Sequence, residues 1–170
     1  MDTFFEQIVS MKLKFKQISV IILLWFIAAL LSLGSVLFIF GGTISVISIA
    51  LVIAIFYGAY YLTTKFFIEY EYIITNNSFD IDKIISKKSR KRLASFEISQ
   101  VESIEKYNPN AKDNTRFAEI LKVCNASDEA YQLIFKDGTS LTKVIFAPDE
   151  RIKKAIVKFL PRHLSNSVFK

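Results

Sequence analysis

From Ile18 to Leu62 the chain is almost continuously apolar, and the only real interruption is Gly41-Gly42 near the middle. No Lys, Arg, Asp, Glu or His occurs between Lys16 and Lys65. A helix needs about 20 apolar residues to cross roughly 30 Å of hydrocarbon. Ile18–Phe40 is long enough to do so, and Thr43–Leu62 is long enough to do it again. The pattern predicts a transmembrane helical hairpin over residues 18–62, with spans at 18–40 and 43–62 and a tight turn at 41–42. One long buried helix in a soluble core would need more surrounding chain than 170 residues supply. A cleaved signal peptide is not expected, because its apolar region runs only about 7–15 residues, whereas this one is much longer and leads directly into a second span.

The flanks set an orientation. Lys12, Lys14 and Lys16 precede the first span, Lys65 follows the second, and the connection between the spans carries no charge. Cytoplasmic flanks hold the Lys/Arg excess, so the expectation is a multi-pass protein of the inner (plasma) membrane with both termini cytoplasmic. Tyr57, Tyr60, Tyr61, Phe66 and Phe67 then fall at the inner headgroup level. Ahead of the first span, Phe4, Ile8, Met11, Phe15 and Ile18 recur at helical spacing, which predicts an interfacial amphipathic helix over residues 1–17. Within the hairpin, Ala50, Ala54 and Gly58 form a small-residue ladder, and such ladders let helix backbones approach closely. A turn symmetric about Gly41-Gly42 would bring Ala29 to Ala54 and Trp25 to Gly58; the same ladder could serve contact between chains.

After Lys65 the period changes to two. Ile68, Tyr70, Tyr72 and Ile74 alternate with Glu69 and Glu71, Asn76-Asn77 marks a turn, and Phe79 and Ile81 alternate with Asp80 and Asp82 on the return. Ala94–Ile98, Val101–Tyr107, Phe117–Cys124 and Tyr131–Lys136 read as further strands, and Asp137-Gly138 turns the last of these into Leu141–Phe146. Pro148, Asp149 and Glu150 open a helix whose stripe is Ile152, Ala155, Ile156, Phe159 and Leu160, and Pro161 stops it. Residues 65–161 therefore read as one mostly β, α+β domain of seven strands closed by a C-terminal helix, with 162–170 as a tail. That is the element count of a pleckstrin-homology-like (PH-like) domain.

Particular motifs narrow the resemblance. Tyr72-Ile73-Ile74-Thr75-Asn76, Phe79–Ile85, the basic Lys87–Arg92 and the run Ile98-Ser99-Gln100-Val101-Glu102-Ser103-Ile104 follow the order seen in bacterial membrane proteins with PH-like domains. With Met1-Asp2-Thr3-Phe4, Tyr57-Gly58-Ala59-Tyr60-Tyr61, Pro148-Asp149-Glu150 and Phe159-Leu160-Pro161-Arg162, the chain resembles a bacterial family of short two-helix membrane proteins carrying such a domain. The resemblance implies a membrane-anchored PH-like domain and carries over no catalytic residue, cofactor or ligand.

Candidate chemistry is sparse. The single histidine, His163, and single cysteine, Cys124, exclude a Cys/His zinc site and an internal disulfide. Asp80 and Asp82 share a strand face, as an acid–base pair would, but nothing else in the sequence completes a catalytic site. No enzyme, metal or cofactor is expected. The functional-looking feature is the basic run Lys83, Lys87, Lys88, Arg90, Lys91 and Arg92, in a chain of net charge +6. The Asn76-Asn77 turn returns the second strand toward the start of the first, so the loop after Ile85 comes back to the inner leaflet. Cations there would face anionic headgroups, each worth about 1 kcal/mol near the surface. Nucleic acid is not the expected partner, because the run lacks interleaved aromatics.

Two function classes remain open on these grounds. One is a non-enzymatic membrane-anchored PH-like module that binds anionic lipid or a peptide. The other is an accessory subunit that stabilises or localises a larger membrane complex through its hairpin, with a membrane protein or a second copy as partner.

Overall fold

The computed structural model describes residues 3–39, 45–110, 116–125, 128–165 and 168–169. The chain divides into two units: Lys12–Ile68, and Met1–Met11 together with Glu69–Lys170.

The first unit is a pair of helices, α1 (Phe15–Ile39) and α2 (Ser45–Thr64). Both are long and apolar enough to cross a membrane, and only 11% of each apolar window is buried. A core helix would be mostly covered; these leave Leu, Ile, Val and Phe side chains bare. The turn expected at Gly41-Gly42 lies outside the described residues.

The packing seam differs from the expected one. Buried and half-buried positions follow Gln17, Ile21, Leu24, Ala28, Ser32 and Ser35 on α1. On α2 they follow Ser48, Val52, Ile55, Ala59 and Thr63. Ala29, Ala50 and Ala54 point outward, and a Cβ placed on Gly58 would meet nothing within 4 Å. Trp25 meets Phe56, with ring centroids 6.1 Å apart and planes tilted by 43°. The symmetric register assumed a two-residue joint, whereas α1 ends at Ile39 and α2 begins at Ser45. The seam instead sequesters hydroxyls. Ser35 donates to the Ser32 carbonyl and Thr63 to the Ala59 carbonyl, both at 2.8 Å, so these groups are satisfied without water.

The second unit carries a larger correction. Residues Phe4–Ser10 form a strand, β1, and not an amphipathic helix. Phe5, Gln7 and Val9 face inward while Phe4, Glu6, Ile8 and Ser10 face outward, which is a period of two. The stretch Phe4-Phe5-Glu6-Gln7-Ile8-Val9 suits either period, and the choice is made by a distant partner. β1 pairs antiparallel with β2 (Ile68–Thr75), from Phe4 opposite Thr75 to Ser10 opposite Glu69. The helical pair is thus inserted between two neighbouring strands of one sheet.

That sheet continues with β3 (Ser78–Ile85) and β4 (Ser89–Glu97), in the order β1-β2-β3-β4. A second sheet contains β5 (Val101–Lys106), β6 (Glu119–Lys122), β7 (Tyr131–Asp137) and β8 (Ser140–Phe146), in the order β5-β7-β8-β6. Helix α3 (Glu150–Phe159) follows, then the short α4 (Arg162–Ser165). The fold class is as expected, an apolar helical pair with a mostly β PH-like domain closed by a C-terminal helix. The described residues hold eight strands, because β1 joins the seven read from the sequence. The domain therefore does not begin at residue 65; it is discontinuous in sequence.

The core lies between the sheets and under α3. Tyr72, Ile74, Phe79 and Ile81 meet Leu133, Val144 and Phe146, and Ile152, Ala155 and Ile156 close it. Phe96 stacks on Phe135 with ring centroids 4.0 Å apart. Each large apolar side chain so buried contributes about 1.5–3 kcal/mol. The buried Tyr72 hydroxyl donates to the Val123 carbonyl at 2.6 Å, and burial pushes its pKa well up. Gln7 ties β1 to the entry of α3: its amide donates to the Ala147 carbonyl at 3.0 Å and accepts from the Asp149 N–H at 2.8 Å. Asp149 in turn caps α3 by accepting from the Ile152 N–H. Burial would raise its pKa, but that hydrogen bond and Arg151 hold it below the usual carboxylate range.

Two outcomes test this architecture. A chain in which residues 11–68 are replaced by Asn-Gly, joining Ser10 to Glu69 through a hairpin turn, should be water-soluble and melt cooperatively by near-UV circular dichroism. A fragment starting at Lys65 lacks β1 and should show no such transition; equal melts would refute the discontinuous domain. In the helical pair, Ala59→Leu should lower the thermal stability of the full chain in detergent, because it forces the seam apart. Ala54→Leu should leave it nearly unchanged, and the reverse ranking would restore the symmetric register.

Candidate functional site on the outer face of the first sheet

The basic run is not a loop. Ser86-Lys87-Lys88 makes a hairpin turn, Lys83 lies on β3, and Arg90, Lys91 and Arg92 lie on β4. Ile81 pairs with Ala94 but Asp82 pairs with Arg92, so Leu93 is an extra residue on β4. One added residue exchanges the faces of a strand. Beyond this bulge Arg90 and Arg92 share the outer face with Asp82 and Ile84, while Lys83 and Lys91 lie opposite each other on the other face.

The arginines are engaged. Arg92 contacts Asp82 at 2.9 Å and Asp80 at 3.1 Å, and Asp82 is only 3% exposed. Asp80 and Asp82 do share a strand face, and the arginine covering both makes them part of a structural ion cluster. The Asp82 hydrogen bond holds the Arg92 guanidinium pKa above its usual value. Arg90 reaches Glu71 at 3.0 Å, and Glu71 is 2% exposed. A buried carboxylate without a cation is strongly disfavoured, so Arg90 compensates part of the cost of placing Glu71 there. Burial nevertheless raises the Glu71 pKa, and the neighbouring Glu6 carboxyl raises it further. Both carboxylate oxygens meet the guanidinium: Oε1 accepts from the Arg90 Nη2 at 3.1 Å, and Oε2 lies 3.0 Å from the same nitrogen as its ion-pair partner.

Around Glu71 the outer face opens into a cleft of about 500 Å³. Glu6, Glu69 and Glu71 form one wall, Lys87, Lys88 and Arg90 the other, and Ile8 and Ile84 are also part of the lining. The turn that presents the lysines is strained. Ser86 and Lys87 have φ of 52° and 58°, and Lys88 N–H donates to Ile85 O at 3.1 Å. Two positive φ values in a two-residue turn suit Asn-Gly; a non-glycine residue there costs about 1–2 kcal/mol.

The family model described as Bacterial PH-like domain (DUF6106) matches residues 1–166. The chain belongs to this bacterial PH-like domain family. No curated protein and no solved structure matches it. In this PH-like domain the match includes β1 and the helical pair, in keeping with a domain whose first strand precedes the helices.

The structure brings four of the six basic residues, Lys87, Lys88, Arg90 and Arg92, to the turn or the outer face, and sets Lys83 and Lys91 on the opposite face. Cys124 is buried, and desolvation pushes its thiol pKa up, as for a structural residue. His163 lies exposed on α4. The residues missed in the sequence are Glu6, Glu69 and Glu71. Glu69 and Glu71 read as the wet face of a strand, and only pairing with β1 reveals that three carboxyls converge.

The Glu71 environment predicts a pH dependence with a definite sign. Its folded pKa is above the unfolded one, so the native state binds more protons in that window, and stability falls as pH rises through it. Lowering pH from neutral toward 5 should therefore raise the melting temperature through this residue, and Glu71→Gln should remove that contribution. An unchanged pH slope in Glu71→Gln would show that the carboxyl is not desolvated.

Proposed function

We propose that this protein is a non-enzymatic membrane-anchored PH-like module, its helical pair crossing the inner membrane twice and its β domain held on the cytoplasmic side against the inner leaflet. The observation that carries this reading is the insertion of two bare apolar helices between paired strands β1 and β2. Ser10 and Glu69 are opposite each other, so a pair of spans leaving and re-entering there must start and finish on one side of the bilayer. The lysines at 12, 14, 16 and 65 make that side the cytoplasm under the positive-inside rule. The connecting segments are short, residues 11–14 and 65–67, at most about 3.5 Å per residue.

The same topology supports an inner-leaflet role for the β3–β4 turn. β2 begins, and β3 ends, at the end of the sheet where Ser10 and Glu69 pair, so Lys87 and Lys88 sit at the end from which the chain runs into the helices. The electrostatic attraction is weaker than six cations would give. Arg90 and Arg92 are already paired with Glu71, Asp80 and Asp82, and Lys83 and Lys91 lie on the opposite face, so the cations set toward the headgroups are Lys87 and Lys88 at the turn. At about 1 kcal/mol each near the surface, and less in salt, they bias orientation more than they anchor. The outward position of Ala50, Ala54 and Gly58 supports a second reading, in which the hairpin packs against another membrane protein or a second copy.

Thiol labelling in intact cells tests the first reading. With Cys124 replaced, a cysteine at Thr43 should react with an impermeant reagent and one at Asn110 should not; labelling of Asn110 from outside would overturn the orientation. In proteoliposomes, a fluorophore on Ser89→Cys should be quenched by a headgroup quencher in the same leaflet. An unquenched probe would leave the anchor but remove the leaflet contact.

A further inference from the structure

Strand β1 stands at the end of its sheet, with β2 on one side and, among the described residues, no strand on the other. Thr3 shows which backbone groups are used. Its carbonyl accepts from the Asn76 N–H at 2.8 Å and its own N–H donates to Asn76 Oδ1 at 2.9 Å, so Thr3 faces β2. Backbone groups alternate sides along a strand, so Phe5, Gln7 and Val9 face β2 as well, and Phe4, Glu6 and Ile8 face away. Ser10 agrees: its carbonyl points away from β2 and accepts from Asn125 Nδ2 at 3.1 Å. Among the described residues no group outside β2 bonds to the backbone of Phe4, Glu6 or Ile8. The Phe4 and Ile8 side chains are 61% and 52% exposed. A bare edge flanked by apolar side chains is a template for another strand.

We propose that this edge receives an extended segment of a partner protein, added antiparallel to β1, with acidic side chains on its inner face and an apolar–basic–apolar pattern on its outer face. Helix α3 is the reason for the acidic face. It runs alongside β1 in the opposite direction: at its start the Asp149 N–H donates to Gln7 Oε1 at 2.8 Å, and at its end Lys158 Nζ donates to Thr3 Oγ1 at 3.1 Å. Lys154 lies one turn before Lys158 on the same face of the helix and is exposed, as Lys158 is. Since β2 covers the other side of β1, exposed α3 side chains that meet β1 do so from its free edge. The inward side chains of an added strand would therefore lie beside Lys154 and Lys158, where carboxylates are complementary. On the outer face its side chains would fall opposite Ile8, Glu6 and Phe4, which suit an apolar, a basic and an apolar residue in turn.

The β1 strand of a second copy suits the edge less well. Two β1 strands paired antiparallel point their Ser10 ends in opposite directions, whereas the anchoring proposed above sets both Ser10 ends toward one bilayer; the choice of occupant rests on that reading. The symmetric register would also set Glu6 opposite Glu6, and like charges directly opposite each other disfavour pairing. A lipid surface offers no alternating row of donors and acceptors for the edge backbone. An extended peptide does, and main-chain bonds of this kind give affinity while the side chains on either face give specificity.

The probe is the fluorescently labelled peptide acetyl-Thr-Val-Glu-Lys-Glu-Val-Thr-amide, titrated against the full chain in mild detergent and read by anisotropy. Saturable binding is expected, and the peptide with Glu and Lys exchanged should bind about tenfold more weakly. Methylating the backbone nitrogens of Val, Lys and Val, which would face β1, should abolish binding, whereas methylating those of the two Glu should leave it nearly unchanged. Lys154→Glu with Lys158→Glu, both at exposed positions, should weaken the original peptide severalfold, and a peptide with Lys at both Glu places should regain the lost affinity. No saturable binding, equal binding of the exchanged peptide, or loss on methylating only the Glu nitrogens would each overturn the proposal. So would a dimer, seen by native mass spectrometry, that the peptide splits into monomers, because a second copy would then be the occupant. Failure of the anchoring reading would show separately, as release of the chain from membranes by carbonate at high pH with peptide binding intact.

Discussion

Strand β1 can pair with β2 only if the two ends of the segment between them stand about 4.8 Å apart, one strand spacing. The segment is the helical pair, and its seam supplies that closeness. Two helices that pack along Ala28, Ser35, Ala59 and Thr63 bring residues before α1 and after α2 back together. A loop of that length without internal structure would resist the pairing through its entropy. The hairpin and the first strand pair therefore support each other, and the domain cannot be separated from its anchor by a single cut in the chain.

Much else follows from β1 being in place. Val9 joins the core, and Gln7 links the strand to the entry of α3 through two hydrogen bonds. Glu6 comes beside Glu71, and the outer face of the first sheet acquires an acidic wall that β2 alone does not form. The bulge at Leu93 completes the other side, because without the extra residue Arg90 and Arg92 would point to the opposite face. Glu71 and Asp82 would then be buried without cations, a cost of several kcal/mol for each. A single inserted residue thus decides whether the outer face is tolerable.

The arrangement also moderates the basic run. Six cations within ten residues suggest a strong electrostatic foot, but two of them are paired with three carboxyls and two more turn to the other face. What remains near the cleft is mixed in sign.

The sequence by itself determined the apolar pair, most of the strands after Ile68, the turns at Asn76-Asn77 and Asp137-Gly138, and helix α3 with its start at Pro148-Asp149-Glu150. Each of these is written in local periodicity or turn chemistry, so a window of ten to twenty residues contains the cause. Tertiary structure decided the rest. Residues 4–10 satisfy two periods at once, and their partners lie 59 to 71 residues away, from Ser10 opposite Glu69 to Phe4 opposite Thr75, beyond any local signal. The helix seam depended on the separation of α1 and α2, and rotated the Ala50–Ala54–Gly58 ladder outward. The bulge at Leu93 is visible only as a change of register between two strands. Glu71 reads in sequence as one polar residue among several; its burial and its arginine exist only after three strands have met, because convergence is a property of pairing and not of order along the chain.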